Sequence, residues 1–227
     1  MSLVEHREGI EAGRLDMFVD GAFAFTLTLL VIGRDSIPAS AAELLHMLGG
    51  IPAFAASFSM IAFFWHGHVR WRQHCLRADG RGLFLSLLLV FFALIFVYPL
   101  HMMFAGLFNA FSMGALPSEF VLDTSAKMRV LYVCYGLVFT CMAGTLALLF
   151  RHAARCERRD GLSPLVAQRE QLTWMVPTVL GLLSALLALA LPLTVPSLWW
   201  SLPGWLYVLM FLIGPLTRRF QRKHGMS

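Results

Sequence analysis

Residues 83–107 read LFLSLLLVFFALIFVYPLHMMFAGL, a run of 25 residues without an Asp, Glu, Lys or Arg. An α-helix that crosses the hydrocarbon core of a bilayer needs roughly 20 predominantly apolar residues. The run does not alternate polar and apolar residues, as a strand of a membrane β-barrel does. The segment therefore predicts a transmembrane helix.

The composition of the whole chain points the same way. Of its 227 residues, 58% are hydrophobic and 14% are charged, and the mean hydropathy is +0.70. Ordinary soluble domains are about 45–50% apolar and about 25% charged. A disordered protein is excluded and a soluble enzyme is disfavoured. The length leaves room for about six spans of roughly 20 residues with short loops.

Six apolar runs predict an all-α polytopic membrane protein with a single six-helix membrane domain over residues 1–227. We expect its transmembrane helices at about residues 14–33, 48–68, 83–107, 130–150, 172–193 and 197–216. Only residues 194–196 separate the fifth run from the sixth, and this short connection predicts a tight helical hairpin.

The distribution of Lys and Arg predicts the orientation, because cytoplasmic loops carry an excess of these residues. The termini and the loops after the second and fourth runs hold 15 of them, and the other side holds three: Arg34, Lys127 and Arg129. We therefore expect both termini in the cytoplasm. The formal charge of +5 therefore reflects the topology of the chain. We expect the basic residues of the cytoplasmic side to contact anionic lipid head groups. We expect no nucleic-acid partner.

Polar side chains of the first two runs are expected to meet at the cytoplasmic edge of the membrane. Asp20 lies within the first run or at its edge, where an ionisable group needs a partner or water. Arg14 can reach toward it with its long stem. The second run returns to the same depth and delivers Trp65 and His68 there. Two interpretations stay open: a network that fixes the start of the first helix, or a part in transport.

The chain offers no pattern that is typical of a metal site or of catalysis. It has four cysteines without a CxxC pair or metal-ligand spacing, namely Cys75, Cys134, Cys141 and Cys156. We expect no disulfide framework, no metal site and no cofactor. His66 and His68 point to different faces of a helix, which argues against joint metal ligation. No nucleophile accompanies the acids and histidines, so we expect no enzyme.

Beyond Asp20, one stripe of the first helix carries Gly21, Phe25, Thr28 and Ile32, with Leu29 beside Thr28. Ordinary packing is one interpretation of such a stripe. The alternative is a pore lining, in which several copies of the helix surround an axis. Apolar rings then form a constriction that gates by dewetting, and Thr hydroxyls offer ligands to cations.

The start of the first run resembles a family signature. Arg14-x-x-x-Phe18-x-Asp20 resembles the Arg-x-x-x-Phe-Ser-Asp pattern of the endosomal/lysosomal potassium channel family (transmembrane protein 175 type), bacterial branch. The apolar stretch from Thr28 to Val31 is also similar to that of the family.

The second and third runs extend the resemblance. Ser57-Phe58 and then Trp65-x-x-His68 resemble the Ser-Phe and Trp-x-x-His elements of the family's second helix. Tyr98-Pro99 lies near the position of its Pro-Phe element. Six helices, cytoplasmic termini and a similar length also match.

The resemblance implies a potassium-permeable cation leak channel in the bacterial inner membrane. It implies a homotetramer in which the first helices line a central pore with a hydrophobic constriction. Carried onto this chain, the constriction begins at Phe25, and the next layers are Thr28, Leu29 and Ile32. Thr28 matches a hydroxyl position that serves permeating potassium. The implied permeants are K⁺ and other monovalent cations, and the implied partners are copies of the chain and the lipid bilayer.

The resemblance also implies residues that hold the pore helix: Arg14, Phe18, Asp20, Trp65 and His68. Two positions depart from the family pattern. Val19 replaces the Ser of the motif, so one hydroxyl is missing from the expected network. Phe25 stands where the family has Ile or Leu; four phenyl rings take more room, and their faces attract a cation by about 0.5–2 kcal/mol.

Two further hypotheses belong to other classes. One is a proton path or proton-coupled transporter that uses Asp20, His68 and His101, because His titrates near physiological pH. The other is a non-conducting structural or regulatory membrane protein, in which Phe25 plugs the axis.

Overall fold

The computed structural model describes residues 3–32, 38–75, 79–118 and 124–223. Within these ranges the chain is helical and contains no strand, which confirms the all-α prediction. The α-helices are α1 Leu3–Ile32, α2 Ala41–Gly49, α3 Ile51–His74, α4 Gly80–Phe111, α5 Ser125–Arg159, α6 Leu165–Ala190, α7 Leu202–Trp205 and α8 Ile213–Lys223. Two 3₁₀ segments, Ser197–Ser201 and Leu206–Leu212, flank α7.

Three of the helices begin at side chains that cap their backbone. Ser40, Asp79 and Thr124 precede α2, α4 and α5, and each side-chain oxygen accepts a hydrogen bond from a backbone N–H of the first turn. Such caps satisfy donors that the helix itself leaves unpaired. They fix the starts of these helices independently of the membrane.

Length and composition alone identify fewer than the expected six spans among the described residues, so the count of six stays a prediction. Four segments of the described chain are long and apolar enough to cross a membrane: α4, α5, α6 and Trp199–Lys223. A fifth is possible if α2 and α3, which are bent by 41° at Gly50, count as one span. The sixth run is not one regular helix, because α-helical and 3₁₀ turns alternate around Pro203, which has no N–H to donate.

Several helices extend beyond their predicted boundaries. The first helix begins at Leu3 rather than near residue 14, and α5 continues to Arg159 rather than ending near residue 150. The apolar run marks the part of a helix that suits the bilayer, whereas the charged continuation of the same helix is stable in water. The short α2 was not predicted, since it is capped and amphipathic rather than long and apolar.

The core lies where α3, α4, α5 and α6 meet. The ring of Phe64 is 6.1 Å from that of Phe96, 5.6 Å from that of Phe139 and 5.6 Å from that of Trp174. Each of these aromatic residues comes from a different helix and is buried. Edge-to-face and tilted aromatic pairs add about 0.5–1.5 kcal/mol each beyond the burial of their area.

Helices α5 and α6 lie in close contact at a pair of glycines, Gly136 and Gly181. A Cβ atom on Gly136 would lie 2.9 Å from the carbonyl oxygen of Gly181 and 3.1 Å from the backbone N of Ala185. The obstacle is backbone, which cannot move aside as a side chain can. Small residues at this crossing therefore determine how closely the two helices pack.

We predict that Gly136→Ala destabilises the protein by about 1–3 kcal/mol, because it overpacks the crossing of α5 and α6. Gly144→Ala is the matched control on α5, since its Cβ would meet only the side chain of Thr178 at 3.4 Å. Thermal unfolding of both variants in detergent measures the difference. Equal melting temperatures for the two variants would show that the glycine pair does not set the packing.

Candidate pore helix and its polar anchors

Helix α1 has one buried face and one exposed face. The buried face packs against α3 and α4 and consists of Leu15, Val19, Phe23, Thr26 and Leu30. This spacing follows a single helical stripe. Because Val19 lies inside this packed face, an apolar side chain suits the position that carries Ser in the family signature.

The exposed face carries most of the predicted pore stripe. Phe18 is 56% exposed and Phe25 is 55% exposed, and Gly21 and Thr28 lie exposed on the same stripe. Leu29 is half-buried at its flank. The predicted layer at Ile32 is the last residue of α1, and its side chain lies outside the described part of the chain.

The anchor of Asp20 is Trp65. The indole Nε1–H of Trp65 donates to Asp20 Oδ1 at 2.8 Å and so joins α1 to α3. The sequence analysis expected Arg14 as a partner of Asp20, but no ion pair joins these two within the described residues. A side chain on the neighbouring helix reaches the carboxylate, whereas Arg14 lies in the same helix nearly two turns away.

A second carboxylate of α1 is also bound to α3. Arg72 Nε donates to Asp16 Oδ1 at 2.7 Å, and the same guanidinium donates to the backbone carbonyl of Cys75. Sequence reasoning missed this pair. Asp16 lies one helical turn before Asp20 on α1, and Arg72 lies about two turns after Trp65 on α3, so helical spacing is the signal that could have found the pair.

His68 binds α4 rather than α1. Its Nε2 lies 2.9 Å from the hydroxyl oxygen of Ser86, and its ring centroid lies 5.2 Å from that of Trp71. The side chain is only 2% exposed, whereas His66 is exposed, so the prediction that they occupy different faces is confirmed. The expected polar anchors therefore form two separate contacts: Asp20 with Trp65, and His68 with Ser86.

A buried carboxylate on α6 was also missed. Glu170 is 2% exposed and accepts from Arg70 at 2.6 Å and from its neighbour Arg169 at 2.9 Å. A buried acid needs such partners, because its isolated charge is expensive. The contact fastens α3 to α6 close to where α6 begins.

The arrangement matches a known family. Residues 14–99 match the profile of the family described as endosomal/lysosomal potassium channel TMEM175. Residues 14–99 are therefore similar to this family. The matched segment begins at Arg14 of α1 and ends at Pro99 of α4, and it contains the exposed face of α1 with both anchoring contacts.

Curated relatives of this chain carry the name potassium channel. One from Chamaesiphon minutus is 27% identical over 164 residues, which are 69% of this chain and 72% of the relative. One from Streptomyces collinus is 29% identical over 150 residues, 64% of this chain and 66% of the relative. A third, from Marivirga tractuosa, is 26% identical over 136 residues, 57% of this chain and 54% of the relative.

Solved structures extend the shared TMEM175 fold beyond the matched segment. A variant of the potassium channel MtTMEM175, crystallised with a nanobody fusion protein, gives a TM-score of 0.74 at 22% identity and covers 94% of both chains. A lysosomal potassium-selective channel TMEM175 homologue from Chamaesiphon minutus gives 0.60 at 23% identity, over 91% of this chain and 98% of that one. The likeness therefore includes the helices that follow Pro99.

We predict that His68→Ala lowers the free energy of unfolding by roughly 2–4 kcal/mol, because it leaves a cavity and deprives the buried Ser86 hydroxyl of its partner. His66→Ala, two residues away on the exposed side, should change it by less than about 0.5 kcal/mol. Denaturant titrations in detergent measure the free energy of unfolding of both variants. A similar loss for both variants would contradict the structural role given to His68.

Proposed function

We propose that the protein is a potassium-permeable cation leak channel whose pore is lined by α1 of each subunit in a homotetramer. The TMEM175 family match and the names of the relatives support potassium transport. The observation that carries the assignment of the pore is the exposed face of α1, which combines aromatic, hydroxyl and carboxylate side chains.

The charge of Asp20 favours a pore or a subunit contact over lipid on this face. The residue is exposed in the protomer, with a single indole N–H as its described hydrogen-bond partner. An ionised carboxylate that faces hydrocarbon is costly, so such residues face a bundle interior or a water-filled path. A ring of subunits with α1 on the inside places Asp20 in a bundle interior and beside a water-filled path.

The same face of α1 also exposes large apolar side chains. Met17, Phe18 and Phe25 are all more than half exposed in the protomer. In a homotetramer, copies of α1 meet around the axis and cover these side chains with one another. In this arrangement α1 is the sixth membrane-crossing helix, and both termini lie on the cytoplasmic side of the bacterial inner membrane.

Phe25 forms the first layer of the hydrophobic constriction in this proposal. Its side chain is 55% exposed and therefore has space to project toward the axis. An apolar ring in a narrow pore opposes wetting and so limits ion passage. The phenyl faces partly offset this barrier, because they attract cations.

Thr28 supplies oxygen ligands one turn further along α1. Its hydroxyl donates to the backbone carbonyl of Phe25 at 2.7 Å, so the proton is held by the helix itself. The lone pairs of the hydroxyl oxygen are then directed outward from the exposed face. Four such oxygens around an axis can replace part of the hydration shell of K⁺.

We predict that Phe25→Ala raises potassium flux at least several-fold, because it widens the constriction and lowers the barrier to wetting. The measurement uses purified protein in liposomes loaded with K⁺ in external Na⁺, read with a proton-coupled dye and a protonophore. Wild type should pass K⁺ faster than Na⁺.

The matched control is Phe211→Ala, because Phe211 is 83% exposed but lies on the C-terminal segment rather than on α1. Its flux should equal that of wild type. Flux that is unchanged by Phe25→Ala, or changed equally by both substitutions, would contradict the assigned pore face. Proton flux that persists without K⁺ would favour the proton path instead.

We predict that Thr28→Val lowers the ratio of K⁺ to Na⁺ flux, whereas Thr28→Ser keeps it. Valine has nearly the shape of threonine but no oxygen, and serine retains the hydroxyl. The same liposome assay, run with each cation in turn, gives the ratio. A ratio that is equal in wild type and Thr28→Val would show that the hydroxyl does not contact the permeating ion.

A further inference from the structure

Three side chains of the types that ligate metals meet at the end of α3, away from the proposed pore face. The ligand atoms of Cys75, His152 and Cys156 all lie within 4.8 Å of one another. Cys75 and His152 are buried, and Cys156 is half-buried. Neither the exposed face of α1 nor the anchors of Asp20 and His68 use these side chains.

The local structure explains why the three side chains converge. His152 and Cys156 are four residues apart on α5, so they occupy one face of that helix. Cys75 follows the last residue of α3, and Arg72 binds its backbone carbonyl. The packing of α3 against α5 then brings the thiol of Cys75 to the other two ligands.

A carboxylate lies beside one of the three, His152. Asp79 caps α4 by accepting from the N–H of Gly82 through Oδ1 at 2.8 Å. Its other oxygen, Oδ2, lies 2.8 Å from His152 Nε2. Two sulfur atoms, one imidazole nitrogen and one carboxylate oxygen are thus gathered from the α3–α4 connection and one face of α5.

We propose that Cys75, Asp79, His152 and Cys156 form a structural site for a tetrahedral, thiophilic divalent cation, with Zn²⁺ as its natural occupant. Zinc takes Cys, His and carboxylate ligands in this geometry. Zn–S and Zn–N bonds of about 2.3 and 2.0–2.1 Å give a tetrahedral edge of about 3.6 Å. The Sγ of Cys156 lies 3.6 Å from Nε2 of His152.

The binding step exchanges protons for the metal. As each metal–sulfur bond forms, the thiol releases its proton to solvent, and Asp79 Oδ2 exchanges its contact with His152 for a bond to the metal.

A cavity lined by arginines beside two of the four ligands balances the charge of the occupied site and admits the ion. A cavity of about 380 Å³ borders Asp79 and His152, and its other charged lining residues are Arg81, Arg155 and Arg159. Two thiolates and one carboxylate around Zn²⁺ leave one net negative charge. The three guanidinium groups stabilise that charge, and the cavity gives the ion a path from solvent.

Occupation of the site would fasten the α3–α4 connection to the end of α5. The four ligands come from two parts of the chain that are distant in sequence, so the metal acts as a crosslink between them. An ion that binds the folded state more tightly than the unfolded state raises stability by mass action. This proposal reverses the expectation, drawn from cysteine spacing alone, that the chain holds no metal.

The test measures metal binding by the purified full-length protein in detergent with a non-chelating reductant. Zn²⁺ is quantified by mass spectrometry, and Co²⁺ serves as a spectroscopic probe because thiolate ligands give it a charge-transfer absorption. We expect one ion per chain. Cys75→Ser and Cys156→Ser should each weaken Co²⁺ binding at least about 100-fold, because each loses a direct ligand, and should lower the charge-transfer absorption at saturating Co²⁺ by about half, because one thiolate remains.

The chain supplies matched controls in its other two cysteines. Cys134 is exposed and Cys141 half-buried, and both lie elsewhere on α5. Cys134→Ser and Cys141→Ser should bind Co²⁺ as wild type does. If Cys75→Ser or Cys156→Ser fails to fold, wild type alone decides: Zn²⁺ should protect the half-buried Cys156, but not the exposed Cys134, from maleimide.

Three results would overturn the proposal. The first is that folded, reduced wild type binds no Co²⁺. The second is that Cys75→Ser keeps the full charge-transfer absorption and affinity of wild type. The third is that Zn²⁺ does not protect Cys156 from maleimide. A Cys75–Cys156 disulfide that accepts no metal after reduction would identify a redox pair instead. Potassium flux is measured separately, so each of these results leaves the proposed channel function standing.

Discussion

An exposed carboxylate on the first helix limits how the protein can be arranged in the membrane. Asp20 is held by the indole N–H of Trp65, yet it remains open on the side away from α3. A charge at this place needs water or protein beside it rather than lipid. The same side of α1 also carries Phe25 and Thr28, so whatever surrounds Asp20 also surrounds them. An axis shared by several copies of α1 satisfies these requirements together.

The other helices hold α1 in position for that role. Its opposite face packs on α3 and α4, and these helices in turn pack on α5 and α6 through the aromatic core. The polar contacts between helices then fix register: Asp16 with Arg72, His68 with Ser86, and Glu170 with Arg70. The proposed zinc site adds a further connection between the end of α3 and α5.

The apolar runs predicted where α3 to α6 lie, because long uncharged stretches are typical of transmembrane helices. They did not predict the ends of helices, since Arg155 and other charged residues continue α5 into water. They also missed α2, which depends on the cap at Ser40, and the broken helix around Pro203. Hydropathy indicates whether a segment lies in lipid or in water, whereas capping residues and prolines determine where its helix begins and ends.

For the site, sequence reasoning brought Trp65 and Asp20 to one depth but could not decide which groups pair. Asp16 and Asp20 are one turn apart, so either acid could have met either donor of α3, and only the packing of the two helices selects between them. The Cys75 and His152 cluster was hidden for a related reason. Its members are far apart in the chain, and spacing rules detect ligands that are close.

In the proposed channel, the exposed face of α1 meets its own copies around an axis. Intersubunit disulfide formation tests this arrangement, with Phe25→Cys introduced into a background in which Cys134 and Cys141 are serine and the proposed metal ligands Cys75 and Cys156 are kept. Mild oxidation in membranes should link Phe25→Cys subunits covalently, because their side chains face one another across a narrow pore. The same treatment of Phe211→Cys should leave monomers on a denaturing gel. Links at Phe211→Cys with none at Phe25→Cys, in protein that is assembled, would contradict the pore assigned to α1.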